Sequence, residues 1–597
     1  MNFSTLKSLK PEEFKDAAKA YKSVSSMASL AKDRVEQRDV PKMRRLLEGK
    51  SLLAAVKEFQ RIYDNFHYIQ IECGLASTAL NSLAHDLSAA KKKLDSAISD
   101  AESQKLTVNS DGSVTYPPAG EEVDGRKPEG GTVQGNAPAD GSGSSKPIDP
   151  TGDSDSLAKS ISKQAANASD NPKRRAAQEC ADRIARAIKE ATEADQEWAP
   201  KLRRLRADDD LRVSAKDWVD TAKDGRTVGD GLDSSLNDVK PPRNGTPEEN
   251  AKWWKSLTKE EREAYIAIHP ASVGALDGLP AEVRDEANRT VLVQKKANYQ
   301  IELDSLPPPP TGPQTWDKNA KRREELKGAL RGMNAIQDRF DRTGSRGLPE
   351  AYLLGFDPKG EGNGKIILAN GNPDHADHTA TYVPGTLTDI EGIGKDINRM
   401  ENLWETSRQL NPTASVSTIM WLDYDAPDNP VTESPSGKYA KEGSGALRSF
   451  LEGNNVAHGE ATGGKSHTTV IGHSYGSVLV GEAALGQPEG QPLADDIVAA
   501  GSPGMKARSP EELGIDRRHM WAAEAGGSAD WATRELGRYG HGAGFPPVIP
   551  SDPEFGANIL DSDASDHGSY WDPEKGTKAL ENQAAITLGQ YDDVQTK

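Results

Sequence analysis

The residues of this 597-residue chain with the clearest chemical meaning are Gly472-His473-Ser474-Tyr475-Gly476. The β-branched run Thr468-Thr469-Val470-Ile471 precedes them, and the apolar run Ser477-Val478-Leu479-Val480 follows. Strand, sharp turn and helix around Gly-x-Ser-x-Gly is the sequence form of a nucleophile elbow. It predicts Ser474 in a strained backbone conformation with its hydroxyl exposed. A serine hydroxyl becomes a nucleophile when an imidazole takes its proton and a carboxylate orients that imidazole. Two N–H groups must then receive the oxyanion. The chemistry that such a set performs is cleavage of an ester-type acyl bond through an acyl-enzyme.

The order expected around such an elbow is Ser, then acid, then His. Three histidines lie downstream of Ser474: His519, His541 and His567. His519 falls inside an expected β run, and His541 in a Gly-His-Gly loop. His567 follows an expected last strand near 557–560 and precedes a C-terminal helix, which is the place of the base. The acid should follow the strand after Gly501-Ser502-Pro503-Gly504, which selects Asp530 in the loop beyond the run 518–523. Its rivals are Asp496, at the opposite end of a strand, and Asp566, beside the base. The alternative reading of Asp530 is a helix N-cap for Trp531-Ala532-Thr533-Arg534-Glu535. The N–H of Tyr475 supplies one oxyanion donor. The loop after the third strand, Val383-Pro384-Gly385-Thr386, supplies the other from Gly385 or Thr386.

The cluster Asp374-His375-Ala376-Asp377-His378 has metal-ligating residue types, but it follows Gly371-Asn372-Pro373 and reads as a solvated turn. No metal and no cofactor are expected. The two cysteines, Cys73 and Cys180, occupy helical seam positions and read as core thiols. A net charge of −18 argues against nucleic-acid binding and against a general affinity for anionic membranes. No apolar run reaches the ~20 residues that span a bilayer. The N-terminus lacks a signal-peptide core, so the cytoplasm is the default location.

A hydrophobic fraction of 35% and a mean hydropathy of −0.71 are too low for one compact enzyme throughout, so helical or linker segments must be present. Residues 1–215 read as a helical hairpin or bundle. A heptad-like seam runs from Leu52 through Val56, Phe59, Tyr63, Phe66, Ile69, Cys73, Ala76, Leu80 and Leu83 to Ala101. A third helix carries Ala177, Cys180, Ile184, Ala187, Ala191, Ala194 and Trp198 on one face. Residues 117–169, rich in Gly, Pro and Ser, read as a flexible insertion, and 216–248 as a linker. Residues 249–345 form a helical lead-in with Trp253-Trp254 as a packing anchor and a capping box at Thr258 and Glu261. Residues 346–597 alternate short strands and helices. The expected strands are 352–356, 365–369, 379–383, 417–422, 468–471, 496–500 and 518–523. That alternation predicts an α/β fold with a doubly wound, mostly parallel sheet.

Tyr382-Val383-Pro384-Gly385-Thr386, Trp421-Leu422-Asp423-Tyr424-Asp425-Ala426-Pro427, Gly472-His473-Ser474-Tyr475-Gly476-Ser477 and Gly501-Ser502-Pro503-Gly504 together resemble one family. It is the actinobacterial α/β-hydrolase family long labelled as a domain of unknown function. Leu276-Asp277-Gly278-Leu279-Pro280 and Arg284-Asp285-Glu286-Ala287-Asn288-Arg289 resemble its helical lead-in. The likeness spans about 249–589. It implies the α/β-hydrolase fold and the triad Ser474, Asp530 and His567, and it leaves the substrate open. A small-molecule or lipid-like ester fits the chemistry. The N-terminal helices resemble the hairpins of ESX/WXG-type secretion substrates, with Leu47-Glu48-Gly49 where Trp-x-Gly would stand. That implies a self-association or secretion-partner surface, and type VII-like export as the alternative to the cytoplasm. Two rival functions remain open: a non-catalytic hydrolase-like module in a secretion-associated or scaffold protein, and a thioesterase or acyltransferase using the same triad.

Overall fold

The computed structural model describes residues 1–122, 126–136, 171–205, 212–232, 241–242, 244–309, 318–359 and 362–597. It divides into two compact units. The first comprises Met1–Met27, Gln70–Asp209 and Arg226–Asp238, the second Ala28–Ile69, Asp210–Gly225 and Val239–Lys597. These borders differ from the expected ones at 215/216 and 345/346. Among the described residues, no helix is long and apolar enough to cross a membrane.

In the first unit, the helix Lys173–Arg204 packs on the later part of the 55-residue helix Gly49–Ser103. Leu83, Leu87, Ala90, Leu94, Ala97 and Ala101 are buried on one side, and Ala177, Cys180, Ile184 and Trp198 on the other. Trp198 Nε1 donates to Asp86 at 3.0 Å, and Lys93 pairs with Glu190. The expected seam holds from Leu83 onward, while between 66 and 80 Ala76 is its one buried member. There Ile69 is exposed, and His67, Ile71, Leu75 and Ala79 are buried instead. The buried stripe rotates near Ile69, the position where the helix passes from one unit to the other.

A small antiparallel sheet joins β1 (Thr107–Val108), β2 (Val114–Tyr116) and β3 (Gly131–Val133). β3 corrects part of the expected insertion. Thr132 is exposed and Val133 buried opposite Val114, a period-two pattern that the surrounding Gly and Pro disguise. Residues 123–125 and 137–169 of that insertion lie outside the described residues. The expected linker is corrected as well. Ala215–Leu232 is a helix that buries Trp218, Val228 and Leu232, with its helical period interrupted by Gly225, Gly229 and Gly231. Residues 233–240 and 243 of that linker lie outside the described residues, and Pro247 and Glu248 already open the helix Pro247–Ser256.

The second unit is built on an eight-stranded sheet of order β11-β10-β9-β8-β6-β7-β5-β4. Its strands are β4 (Ala351–Asp357), β5 (Lys365–Asn370), β6 (His378–Val383), β7 (Val416–Leu422), β8 (His467–His473), β9 (Asp496–Ala500), β10 (Met520–Ala523) and β11 (Asn558–Ile559). All pairings from β7 through β6 and β8 to β11 are parallel. β5 runs antiparallel to both its neighbours. β7 and β9 are buried at every position, as expected of strands covered on both faces. The fold class read from the sequence is therefore the one observed. Every expected strand appears within two residues of its predicted place. β10 starts at Met520 rather than 518, because Asp516 caps the 3-10 turn Arg517–His519 through the Arg518 N–H.

The helices Ala281–Ser305 and Ala320–Asp341 share one apolar core with the sheet. A buried ionic knot ties residues 28–69 to them. Arg289 donates to Glu36 at 2.9 Å, Asp285 at 2.8 Å, the Tyr63 hydroxyl at 3.1 Å and the Ala351 carbonyl at 2.8 Å. Its guanidinium stacks 3.7 Å from the Phe340 ring centroid. Trp253 and Trp254 are buried with ring centroids 5.8 Å apart. The capping box at Thr258 and Glu261 forms, and Thr246 with Glu249 makes a second.

Candidate active site

β8 ends at His473, and a helix, Tyr475–Leu485, begins one residue after Ser474. Ser474 alone makes the turn, at φ 54° and ψ −126°, a conformation that non-glycine residues adopt only when packing enforces it. Packing leaves no room here for a larger neighbour: a Cβ at Gly476 would stand 2.2 Å from the Val383 carbonyl oxygen. The glycine lets the helix start directly against the end of β6. Ser474 itself is 9% exposed.

The loop after β6 lies against this elbow. A Cβ built on Gly385 would stand 2.8 Å from Ser474 Cβ and 3.1 Å from Tyr475 N. Gly385 and Tyr475 thus converge on the nucleophile. Among the described residues, the N–H groups of Tyr475, Gly385 and Thr386 donate to no other group of the chain. The Tyr424 hydroxyl donates to the Pro384 carbonyl at 2.7 Å and the Thr386 and Ser434 hydroxyls lie 2.8 Å apart, which holds the loop in place.

Asp530 and His567 meet. His567 Nδ1 lies 2.8 Å from Asp530 Oδ1. Asp530 is fully buried and sits in the first turn of the helix Gly527–His541, not in the loop before it and not at its N-cap, which is Gly526. Four donors converge on its carboxylate. Oδ1 accepts from His567 and from the Tyr570 hydroxyl at 2.6 Å, and Oδ2 from Arg534 Nε at 2.9 Å and the Ala525 N–H at 3.1 Å. Burial alone would raise the Asp530 pKa, but the hydrogen bonds from His567, Tyr570 and Arg534 outweigh it and lower it. The carboxylate is therefore the form this pocket stabilises. The carboxylate fixes the donor on Nδ1, so in the neutral ring Nε2 carries the lone pair. Nε2 is buried and has no hydrogen-bond partner among the described residues. Ser474 Oγ and His567 are not hydrogen-bonded to each other.

The rivals sit elsewhere. His519 Nδ1 is 3.1 Å from Asp496 Oδ1, and His541 Nε2 is 2.6 Å from the Ser434 carbonyl. Asp566 accepts the Gly568 N–H at 2.9 Å. Asp496, at the amino end of β9, is fully buried among His467, His519, Trp521 and Tyr591. The expected solvated turn at 374–378 is partly buried. Asp374 is 4% exposed and accepts the Ala281 N–H at 2.6 Å, because the helix Ala281–Ser305 begins on top of it.

Sequence reasoning did not single out Tyr570 or Arg534, and it used Gly501 only as part of a motif. Arg534 is four residues from Asp530 on one helix, a spacing that could have exposed it. Tyr570 sits three residues after His567. Gly501, at φ 57°, passes so close that a Cβ there would be 2.8 Å from both Asp530 Oδ1 and His567 Cε1.

Residues 357–535 match the family described as "Alpha/beta hydrolase". The chain is 31% identical over 412 residues to Uncharacterized protein Rv2079 and to Uncharacterized protein MT2140, from two strains of Mycobacterium tuberculosis. That alignment covers 61% of this chain and 60% of each relative. Uncharacterized protein Mb0988c of Mycobacterium bovis is 28% identical over 148 residues, 24% of this chain and 50% of its own. No solved structure matches. The parallel sheet, the elbow between β8 and its helix and the sequence match together give the C-terminal part of this chain the α/β-hydrolase fold, with sequence similarity to mycobacterial proteins.

Proposed function

We propose that the chain is a serine hydrolase that cleaves an ester-type acyl bond. The observation that carries this reading is the 2.8 Å Asp530–His567 contact, which leaves an Nε2 with no partner among the described residues in the loop against the elbow. Ser474 Oγ attacks the acyl carbon as His567 Nε2 takes its proton. The carbonyl electron pair moves to oxygen, where the N–H groups of Tyr475 and of Gly385 or Thr386 receive it. Collapse expels the alcohol, which takes the proton back from Nε2. Water then repeats the sequence on the acyl-enzyme and releases the acid. Asp530 keeps the proton on Nδ1 throughout and stabilises the imidazolium. The Ser474–His567 hydrogen bond is expected to close when substrate is bound, as such contacts are often long in the free enzyme.

The test is labelling of the full chain by a fluorophosphonate. Wild type should be labelled, and Ser474→Ala should not, with its fold retained. Equal labelling of the two refutes the reading.

A further inference from the structure

We propose that His473, the residue before the nucleophile, is a positioning residue that, with Arg399, clamps the backbone of the base loop against the elbow. The proposal rests on the hydrolase reading above. His473 is 7% exposed. Its Nε2 lies 2.8 Å from the His567 carbonyl oxygen. A carbonyl only accepts, so Nε2 bears the proton. Nδ1 lies 3.3 Å from the Tyr382 hydroxyl. Burial disfavours a charge on this ring, and the nearby Arg399 cation adds to that, so the imidazole is neutral with one defined tautomer.

The Tyr382 hydroxyl belongs to a second grip on the same loop. It accepts from Arg399 Nη1 at 2.7 Å and reaches Asp396 Oδ1 at 2.9 Å. Asp396 and Arg399 also pair directly, at 2.6 Å, on the helix Gly394–Leu410. Arg399 Nη2 then donates to the Gly568 carbonyl at 3.3 Å, and its guanidinium lies 5.2 Å from the Trp571 ring centroid. Two successive carbonyls, those of residues 567 and 568, are therefore held by donors from β8 and from the helix after β6. Asp530 fixes only the ring of His567. His473 fixes the backbone that carries it, and does so from the residue next to Ser474. One hydrogen bond thereby sets base and nucleophile in register, across 94 residues of sequence. A base displaced by about 1 Å costs on the order of 100-fold in rate.

The clamp needs a neutral N–H at the reach of Nε2. Glutamine can place its amide nitrogen there; leucine fills the space without a donor. The experiment measures the second-order rate of fluorophosphonate labelling of the full chain for wild type, Ser474→Ala, His473→Gln, His473→Leu and Arg399→Met. Far-UV circular dichroism and the urea midpoint are measured alongside. His473→Leu should label on the order of 100-fold more slowly than wild type. His473→Gln should recover all but a few-fold of that loss, and Arg399→Met should fall between the two. A buried histidine serving only as packing would not distinguish the glutamine from the leucine in this way. Folded His473→Leu labelling at the wild-type rate overturns the proposal, as does folded His473→Gln labelling as slowly as the leucine variant. If the leucine variant does not fold, Arg399→Met decides, and a wild-type rate there overturns the clamp. Failure of the hydrolase reading shows differently, as wild type labelled no better than Ser474→Ala.

Discussion

Replacing Asp530 by Asn changes one atom and should disable the site. All four neighbours of the carboxylate are donors: His567 Nδ1, the Tyr570 hydroxyl, Arg534 Nε and the Ala525 N–H. Only a group that accepts on both atoms satisfies them. An amide must turn its NH2 to one side. Facing Arg534 and Ala525, it places donor against donor in a fully buried pocket, which costs about 1–3 kcal/mol of stability for a stranded donor. Facing His567, it demands a lone pair on Nδ1, so the proton moves to Nε2 and the ring can no longer take the Ser474 proton. Loss of the correct tautomer in such a triad lowers turnover by about 10⁴, or roughly 5.4 kcal/mol of barrier at 1.36 kcal/mol per tenfold. The assay is steady-state hydrolysis of an activated ester such as p-nitrophenyl acetate by Asp530→Asn, with urea denaturation of the same sample. A stable variant that turns over within threefold of wild type would show that Asp530 does not orient the base.

Other outcomes follow from groups away from the nucleophile. Arg289→Met removes the buried cation facing Glu36 and Asp285. It should lower the urea stability of the second unit by about 3–5 kcal/mol, and a loss under ~1 kcal/mol would refute this account of the ionic knot. Burial already pushes the Glu36 carboxyl up, so the variant should weaken further between pH 6 and 8 as that carboxyl is forced to ionise. At the amino edge of the sheet, burial opposes a charge on His467, but hydrogen bonds to Asp496 and Thr587 outweigh it and lift its pKa above 6.5. Burial likewise opposes the Asp496 carboxylate and is outweighed, so its pKa lies below 3.8. A raised histidine stabilises below its unfolded pKa and loses that as pH rises; a depressed carboxylate stabilises above its own and loses that as pH falls. Their joint contribution is therefore full between about pH 4 and 6.5. The stability gap between wild type and Asp496→Asn, measured by urea midpoints across pH 4–8, should narrow at the upper end. A gap independent of pH would show that His467 carries no charge there.

The sheet was legible because its strands are short β-branched runs bounded by Gly, Pro and Asn, and the order Ser474, Asp530, His567 followed from the place of each after a strand. The encounter of Asp530 with His567 could be anticipated, but the rest of that pocket could not. Tyr570 and Arg534 act through a hydroxyl and a guanidinium that could have faced solvent, and only tertiary packing turns them onto Asp530. His473 stood in the variable position of Gly-x-Ser-x-Gly, where no residue type is demanded. The long-helix seam held only at Ala76 between 66 and 80 because periodicity tells which residues share a face, not which neighbour covers it. Two expected linkers concealed a strand and a helix, since glycine lowers local propensity without preventing a segment from burying Val133 or Trp218.

The ionic knot around Arg289 also limits how such a gene could be divided. Glu36 and Tyr63 lie more than two hundred residues upstream of the guanidinium they receive, and the backbone between residues 49 and 103 is one uninterrupted helix. A recombination event or an expression truncation at the apparent seam near residue 249 would remove Glu36 and Tyr63 and leave the buried Arg289 with Asp285 as its acidic partner. Descendants of this architecture should inherit Glu36, Tyr63 and Arg289 together, and shuffling of the hydrolase portion alone should be selected against.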